Sequence, residues 1–378
     1  MELTMNQAVL GVQRSGIRVF TQLARETPGC MALTLGEPDF DTAPAIRNAV
    51  KASLDQGDTH YPENNGRPWL LEAVSDFERQ RHGLDYRPEE IIVTAGATEG
   101  IFAALFSILN PGDEVLIPTP AFCLYEYIVE MCRGVPVKLS TEKTGFQLTE
   151  EQLRAALTPR TKAIVLTSPS NPTGCVYTRE TLDMLHRVLR ELPVFVLCDE
   201  VYRQLCYDGP CPAFSAFSDM RDRIIVLQSF SKPYAMTGWR VGYLMADQPV
   251  VEQIQKVHQY DVVSVSSFTQ RACVEALQYD NSLERETFRR RRDYVYGRLL
   301  AMGLTVRKPE GAFYLFPSIA RYGLDSAGFC TRMIREAGLA LTPGSCFSAE
   351  GFVRISYCYG DAVLKEGMDR LERFLRTL

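Results

Sequence analysis

Between residues 91 and 229 the chain alternates short apolar runs with stretches of helical periodicity, and few architectures accept that alternation. The runs are 91–94, 114–117, 135–139, 163–167, 194–198 and 224–228. Each is bounded by Gly, Pro, Asn, Asp or Ser and is nearly unbroken in apolar character, as strands buried on both faces are. The pattern predicts an α/β fold, a large domain whose mostly parallel sheet is covered by helices. At 378 residues the chain exceeds one core of ordinary size, so a second domain is expected. Its sequence lies after a charged helix at 282–302: strands at 310–316, 339–343 and 352–357, interleaved with helices starting at Ser326 and Asp361. A further helix is read from Pro120 through Cys132, and Thr149 with Gln152 forms a capping box opening another.

Polar residues gather where these runs end. The run at 91–94 leads into Ala95-Gly96-Ala97-Thr98, a small-residue turn that opens a helix. Unpaired N–H groups and the positive end of the helix dipole make such a turn an anion site, although the turn alone is weak evidence. The run at 163–167 ends in Ser168-Pro169-Ser170-Asn171-Pro172-Thr173-Gly174. Two prolines flanking Asn171 hold its amide rigidly at the strand end, beyond what a plain Pro-rich turn requires. At 194–198 the strand stays apolar until Asp199, which is costly to bury without a cation; the competing reading is a helix cap with Tyr202 as packing. After 224–228 come Ser229, Ser231, Lys232 and, eight residues on, Arg240. Desolvation and a neighbouring fixed charge both favour the uncharged amine of Lys232, the form that condenses with an aldehyde. Ligands of open parallel sheets bind beyond the carboxyl ends of the strands, where all four groups fall.

The pattern Ser-x-Ser-Lys-x-x-x-Met-x-Gly-Trp-Arg-x-Gly from Ser229 to Gly242, with Asn-Pro-Thr-Gly at 171–174, resembles the class I and II aminotransferases, aspartate/aromatic branch. The resemblance runs from LGEPDF at Leu35 to FVRIS ending at Ser356, departing at Ser170, where many members carry a second asparagine. It implies a fold type I pyridoxal-phosphate-dependent transferase, with a large domain at 49–285 and a small domain at 286–378 joined by an N-terminal segment at 1–48. It also implies residue roles. Lys232 holds pyridoxal 5'-phosphate as a Schiff base and shuttles the proton, Asp199 faces the pyridine nitrogen, and Asn171 and Tyr202 reach the phenolic oxygen. Phe122 lies against the ring, while Ala97, Thr98, Ser229, Ser231 and Arg240 hold the phosphate. Tyr61 would reach the phosphate of a neighbouring subunit in a homodimer. Arg354, a charge inside an apolar strand, suits a substrate α-carboxylate bidentately, a structural salt bridge being the alternative. Gly36, Ile17 and Asn171 complete the substrate side, with selectivity set near Ile17, Arg18 and Tyr61. The implied reaction passes an amino group from an L-amino acid to a 2-oxo acid, 2-oxoglutarate foremost. A carbon–sulfur lyase on the same fold is the first alternative. A non-catalytic sensor domain is the second, disfavoured because no helix-turn-helix precedes Leu35.

Composition narrows the remaining classes. A net charge of −5 gives no general attraction to nucleic acid or an anionic membrane, and the one basic cluster, Arg289 to Arg292, reads as the solvated face of a helix. No signal-like N-terminus or membrane-length apolar run occurs. Eleven cysteines without C-x-x-C pairing fit a reducing compartment, so a cytoplasmic protein is expected. None of the four histidines has ligand spacing, and no metal site is expected.

Overall fold

A computed structural model describes residues 3–378. Its strands, in chain order, are β1 (Met31–Ala32), β2 (Ile91–Thr94), β3 (Glu114–Thr119), β4 (Val135–Ser140), β5 (Thr161–Thr167) and β6 (Phe195–Asp199). They continue with β7 (Ile224–Ser229), β8 (Gly242–Ala246), β9 (Tyr314–Leu315), β10 (Leu339–Ala340), β11 (Thr342–Pro343) and β12 (Val353–Ser356). The six apolar runs thus become six strands of one seven-stranded sheet, ordered β2, β8, β7, β6, β5, β3, β4. Unbroken apolarity has its expected cause. On β2, Ile91 and Val93 pack into one core while Ile92 packs into another across the sheet, and both cores are roofed by helices. Edge strand β4 is the exception, with Val135, Lys138 and Ser140 exposed.

The sequence did not announce β8. It runs antiparallel to both β2 and β7, which leaves β2 parallel to the rest. The carboxyl ends of β2, β5, β6 and β7 therefore open on one edge of the sheet.

A smaller antiparallel sheet, β11–β12–β9, packs with helices Ser282–Ala301, Ser326–Ala337 and Asp361–Leu375 around a separate core. Strand β1 pairs with β10, Met31 opposite Leu339, so the N-terminal segment is stitched to the C-terminal layer.

Four expectations need correction. The helix expected from Pro120 begins only at Leu124 and ends at Met131, because the Ala121 N–H is diverted 3.1 Å to the Phe347 carbonyl. Of 310–316 only Tyr314–Leu315 is strand: the Glu310 and Gly311 N–H groups both donate to the Gly174 carbonyl at 3.0 Å, and Ala312 adopts φ +56°. The single strand expected at 339–343 is two, β10 serving β1 and β11 serving β12. Finally, Arg289 to Arg292 is no uniformly solvated face. Arg291 donates to both Asp39 carboxylate oxygens at 2.6 and 2.9 Å, and Arg292, 1% exposed, donates to the Pro309 carbonyl and lies over Tyr207. Two guanidiniums there cross from helix to neighbouring loops instead of facing water.

Candidate active site

The four strand ends and the smaller layer enclose a cleft of about 530 Å³. It is lined by Ile17, Gly36, Ala97, Thr98, Phe122, Asn171, Asp199, Tyr202, Ser229, Ser231, Lys232, Arg240 and Arg354. Every expected site residue is thus brought together except one. Tyr61 is 86% exposed and does not line the cleft of its own chain.

Lys232 follows β7 and is half-buried, its Nζ donating to the Gly36 carbonyl at 2.6 Å. Burial, aided by the Arg354 and Arg240 charges against the opposing pull of Cys358 and Glu37, pushes its pKa down to about 8. At that value about a tenth of the amine is uncharged at pH 7, far more than at the ordinary lysine pKa. Gly36 cannot carry a side chain, since a Cβ there would fall 1.8 Å from the Tyr314 hydroxyl. The Tyr314 ring and the Gly36 carbonyl so occupy adjoining space beside the lysine.

Asp199 ends β6, 5% exposed, with no cation beside it among the described residues. Burial raises its pKa, while the Tyr125 hydroxyl, donating at 2.6 Å to Oδ2, and the Val201 N–H oppose the shift. A carboxylate so placed can accept from a protonated ring nitrogen that enters the cleft. Tyr202 lies beyond it, but its hydroxyl is 2.7 Å from that of Tyr314, and the Asn171 amide oxygen accepts from Arg354 at 2.8 Å. The Asn171 amide nitrogen has no partner among the described residues and is free to donate.

Arg354 on β12 is 2% exposed between the rings of Tyr314 and Phe347. Its other donation is to the Thr34 carbonyl, and its buried Nε has no partner. The structural salt bridge that was the alternative is absent among the described residues. A buried guanidinium without a carboxylate awaits an anion.

At the opposite end, the helix Ala97–Ile108 begins after Gly96 at φ +80°. A Cβ on Gly96 would lie 2.6 Å from Arg240 Nη2, so the turn is shaped to this guanidinium. Arg240 is itself held in the left-handed region at φ +53°, a cost of about 1 kcal/mol that its surroundings must offset. Its Nη1 donates to the Thr237 carbonyl and no carboxylate pairs with it among the described residues. Helix N-terminal N–H groups, Thr98, Ser229, Ser231 and Arg240 line this end of the cleft, a set of donors that could hold a phosphate-sized anion. No group of three or more His, Cys, Asp or Glu among the described residues is placed to hold a metal ion, and no helix there is long and apolar enough to cross a membrane.

Sequence reasoning missed Tyr125, Thr167 and Tyr314. Tyr125 carried no reliable signal, because Phe122 precedes the helix that starts at Leu124 and the three-residue spacing between them is not a helical one. Tyr314 carried none, lying in a run of aromatic residues that all read as core.

The chain matches the family model for class I and II aminotransferases over residues 28–371. It is 43% identical to the probable N-acetyl-LL-diaminopimelate aminotransferase of Bacillus subtilis over 99% of this chain and 96% of that one. Aspartate aminotransferase of Pyrococcus abyssi is 38% identical over 97% and 96% of the two chains. Among solved structures, aspartate aminotransferase from Thermotoga maritima superposes with a TM-score of 0.95 at 33% identity, covering 98% of this chain and all of the other, 100%.

Proposed function

Because the chain belongs to the class I and II aminotransferases, we propose that it moves the amino group of an L-amino acid to 2-oxoglutarate with pyridoxal phosphate held at Lys232. The observation that carries the reading is the opposed pair in one cleft. An amine with its pKa lowered to about 8 sits at the end of β7, and a buried carboxylate without a cation sits at the end of β6. The residues fit the cofactor: the Ala97, Thr98, Ser229, Ser231 and Arg240 site for its phosphate, Asn171 with its free N–H and Tyr202 for its phenolic oxygen, Phe122 for its ring face. Bound there, pyridoxal phosphate supplies an aldehyde for amines and a ring that withdraws electrons.

The chain's own groups do the rest. Lys232 presents an amine with a lowered pKa, and its Nζ, once displaced by the donor's amino group, would take the proton from the donor's α-carbon and pass it to the cofactor within the same half-reaction, the second half-reaction running that transfer backwards with the oxo acid. Asp199 keeps a proton on the ring nitrogen. Arg354 binds the α-carboxylate and so aligns the α-carbon with Lys232, while Ile17 and Gly36 bound the space beside it. We assign residues 49–285 to the larger domain and 286–378 to the smaller, with 1–48 linking them, and Tyr61 to the site of a second subunit in a homodimer.

The test is the visible spectrum of the cofactor-loaded protein as single amino acids are added without oxo acid. Loss of the lysine-bound band with one 2-oxo acid released per site is expected, and Lys232→Ala should abolish it. A retained band with continuous pyruvate and ammonia would replace this reading with the lyase.

A further inference from the structure

Behind the anion site lies a buried pair of titratable groups that the reaction does not use. Glu99 follows Thr98 on the helix that opens the site, and His258 faces it from the helix Gln248–Asp261. His258 is 0% exposed. Its Nδ1 is 3.1 Å from Glu99 Oε1 and its Nε2 is 2.9 Å from the Asn64 carbonyl. The other carboxylate oxygen of Glu99 accepts from the Ala95 N–H at 3.1 Å, closing the turn Ala95–Thr98 from behind.

Hydrogen counting fixes the charge of this pair. The Asn64 carbonyl can only accept, so Nε2 carries a hydrogen. A neutral imidazole would then aim the lone pair of Nδ1 at a carboxylate oxygen, which is repulsive in a buried setting. One further proton, on Nδ1 or on Glu99, removes the conflict. Glu99 with His258 is therefore neutral as a pair, where Glu99 alone would be an anion one residue from Thr98.

We propose that His258 is a positioning residue for the phosphate end of the cleft, cancelling the charge of Glu99 and holding it against the turn that receives the anion. The inference rests on the assignment of cofactor phosphate to Ala97, Thr98 and Arg240. An anion behind an anion site weakens binding, and low-dielectric surroundings screen the repulsion poorly. Through Asn64 the same histidine also ties down the loop that bears Tyr61, since the Asn64 side chain donates in turn to the Val263 carbonyl at 2.7 Å.

The test is the dissociation constant of pyridoxal phosphate, by absorbance titration of the full apo-protein, for wild type, His258→Gln, Glu99→Gln and the double variant. His258→Gln is expected to weaken binding about tenfold, and adding Glu99→Gln to recover most of that loss, which a packing role would not do. Glu99→Gln alone should bind as wild type does, and it carries the test if His258→Gln fails to fold. Unchanged affinity in His258→Gln, no recovery in the double variant, or a tenfold loss in Glu99→Gln would overturn the inference while leaving the aminotransferase reading intact. Failure of the wild type itself to bind the cofactor would overturn both.

Discussion

The Asp199 carboxyl illustrates how one hydroxyl sets the state of a reacting group. Thr167 Oγ1 donates to the Tyr125 oxygen at 2.9 Å, so the single Tyr125 proton is directed onto Asp199 Oδ2 at 2.6 Å. Thr167 and Asp199 are register partners on β5 and β6, which makes this chain a product of the sheet itself. Burial raises the Asp199 pKa and Tyr125 restrains it, so removing the hydroxyl lets it rise further. Hydrogen bonds to charged groups are worth about 1.5–3 kcal/mol, or roughly one to two pKa units. For Tyr125→Phe the acid limb of the kcat/KM profile should move to higher pH by about one unit, with kcat down about tenfold because fewer molecules hold the ring nitrogen protonated. A profile superposable on wild type would show that Tyr125 only packs. Legibility at this scale followed chemistry. Lys232, Asp199 and Asn171 stood out because a charge or amide at the end of an apolar run demands a reason. Tyr125 and Tyr314 were hidden because an aromatic in an apolar neighbourhood needs none.

Among elements, the end of β6 shows how a strand terminus is anchored. Arg203, four residues beyond Asp199, donates to both oxygens of Glu78 at 2.7 and 2.6 Å and to Glu200 at 2.7 Å, and all three are buried. Tyr243 of β8 adds a 2.5 Å bond to Glu78. The cluster thus joins the helix Pro68–His82, β8 and the segment carrying Asp199 and Tyr202. Burial already raises the Glu200 pKa, with Arg203 pulling it down. Arg203→Met should cost about 3–5 kcal/mol in urea unfolding at pH 8, since it leaves two buried carboxylates unpaired. The sign with pH follows from linkage. Without Arg203 the burial of Glu200 is less opposed and its folded pKa rises further above the unfolded value, so the loss is small near the unfolded pKa and grows as pH rises toward the folded one. The gap to wild type should widen from pH 5 to pH 8, and a constant gap would refute the electrostatic account. Element identity was legible where periodicity was local. Boundaries failed at Pro120 and at 310–316 because distant carbonyls, Phe347 and Gly174, capture the N–H groups there, and Arg291 and Arg292 were misread because their aspartate and carbonyl partners lie far off in sequence.

On the scale of the whole molecule, parallel layering was readable from the alternation of runs, whereas the insertion of β8 between β2 and β7 was not, since pairing order is a non-local property. Nor does composition bear on assembly, and there the placement of Tyr61 is informative. Its loop is tied at several points, by Arg67 to Asp58 at 3.0 Å, by Ser267 to the Asp58 carbonyl and by His258 to Asn64, yet the ring itself stands in solvent. An ordered loop presenting a bare aromatic ring fits a residue that works on another copy. The homodimer proposal makes a sharp prediction from symmetry. Lys232→Ala subunits keep Tyr61 but cannot react; Tyr61→Ala subunits keep Lys232 but lack the ring that reaches across. In a hybrid of the two, one site combines an intact Lys232 with the partner's intact Tyr61 and the other has neither. Equal mixing after reversible dissociation makes half the dimers hybrids, each with one sound site, so activity should recover to about one quarter of wild type at limiting cofactor. If Tyr61 served its own chain, every Lys232-bearing site in the mixture would still lack it, and mixing would restore nothing beyond the residual rate of Tyr61→Ala alone.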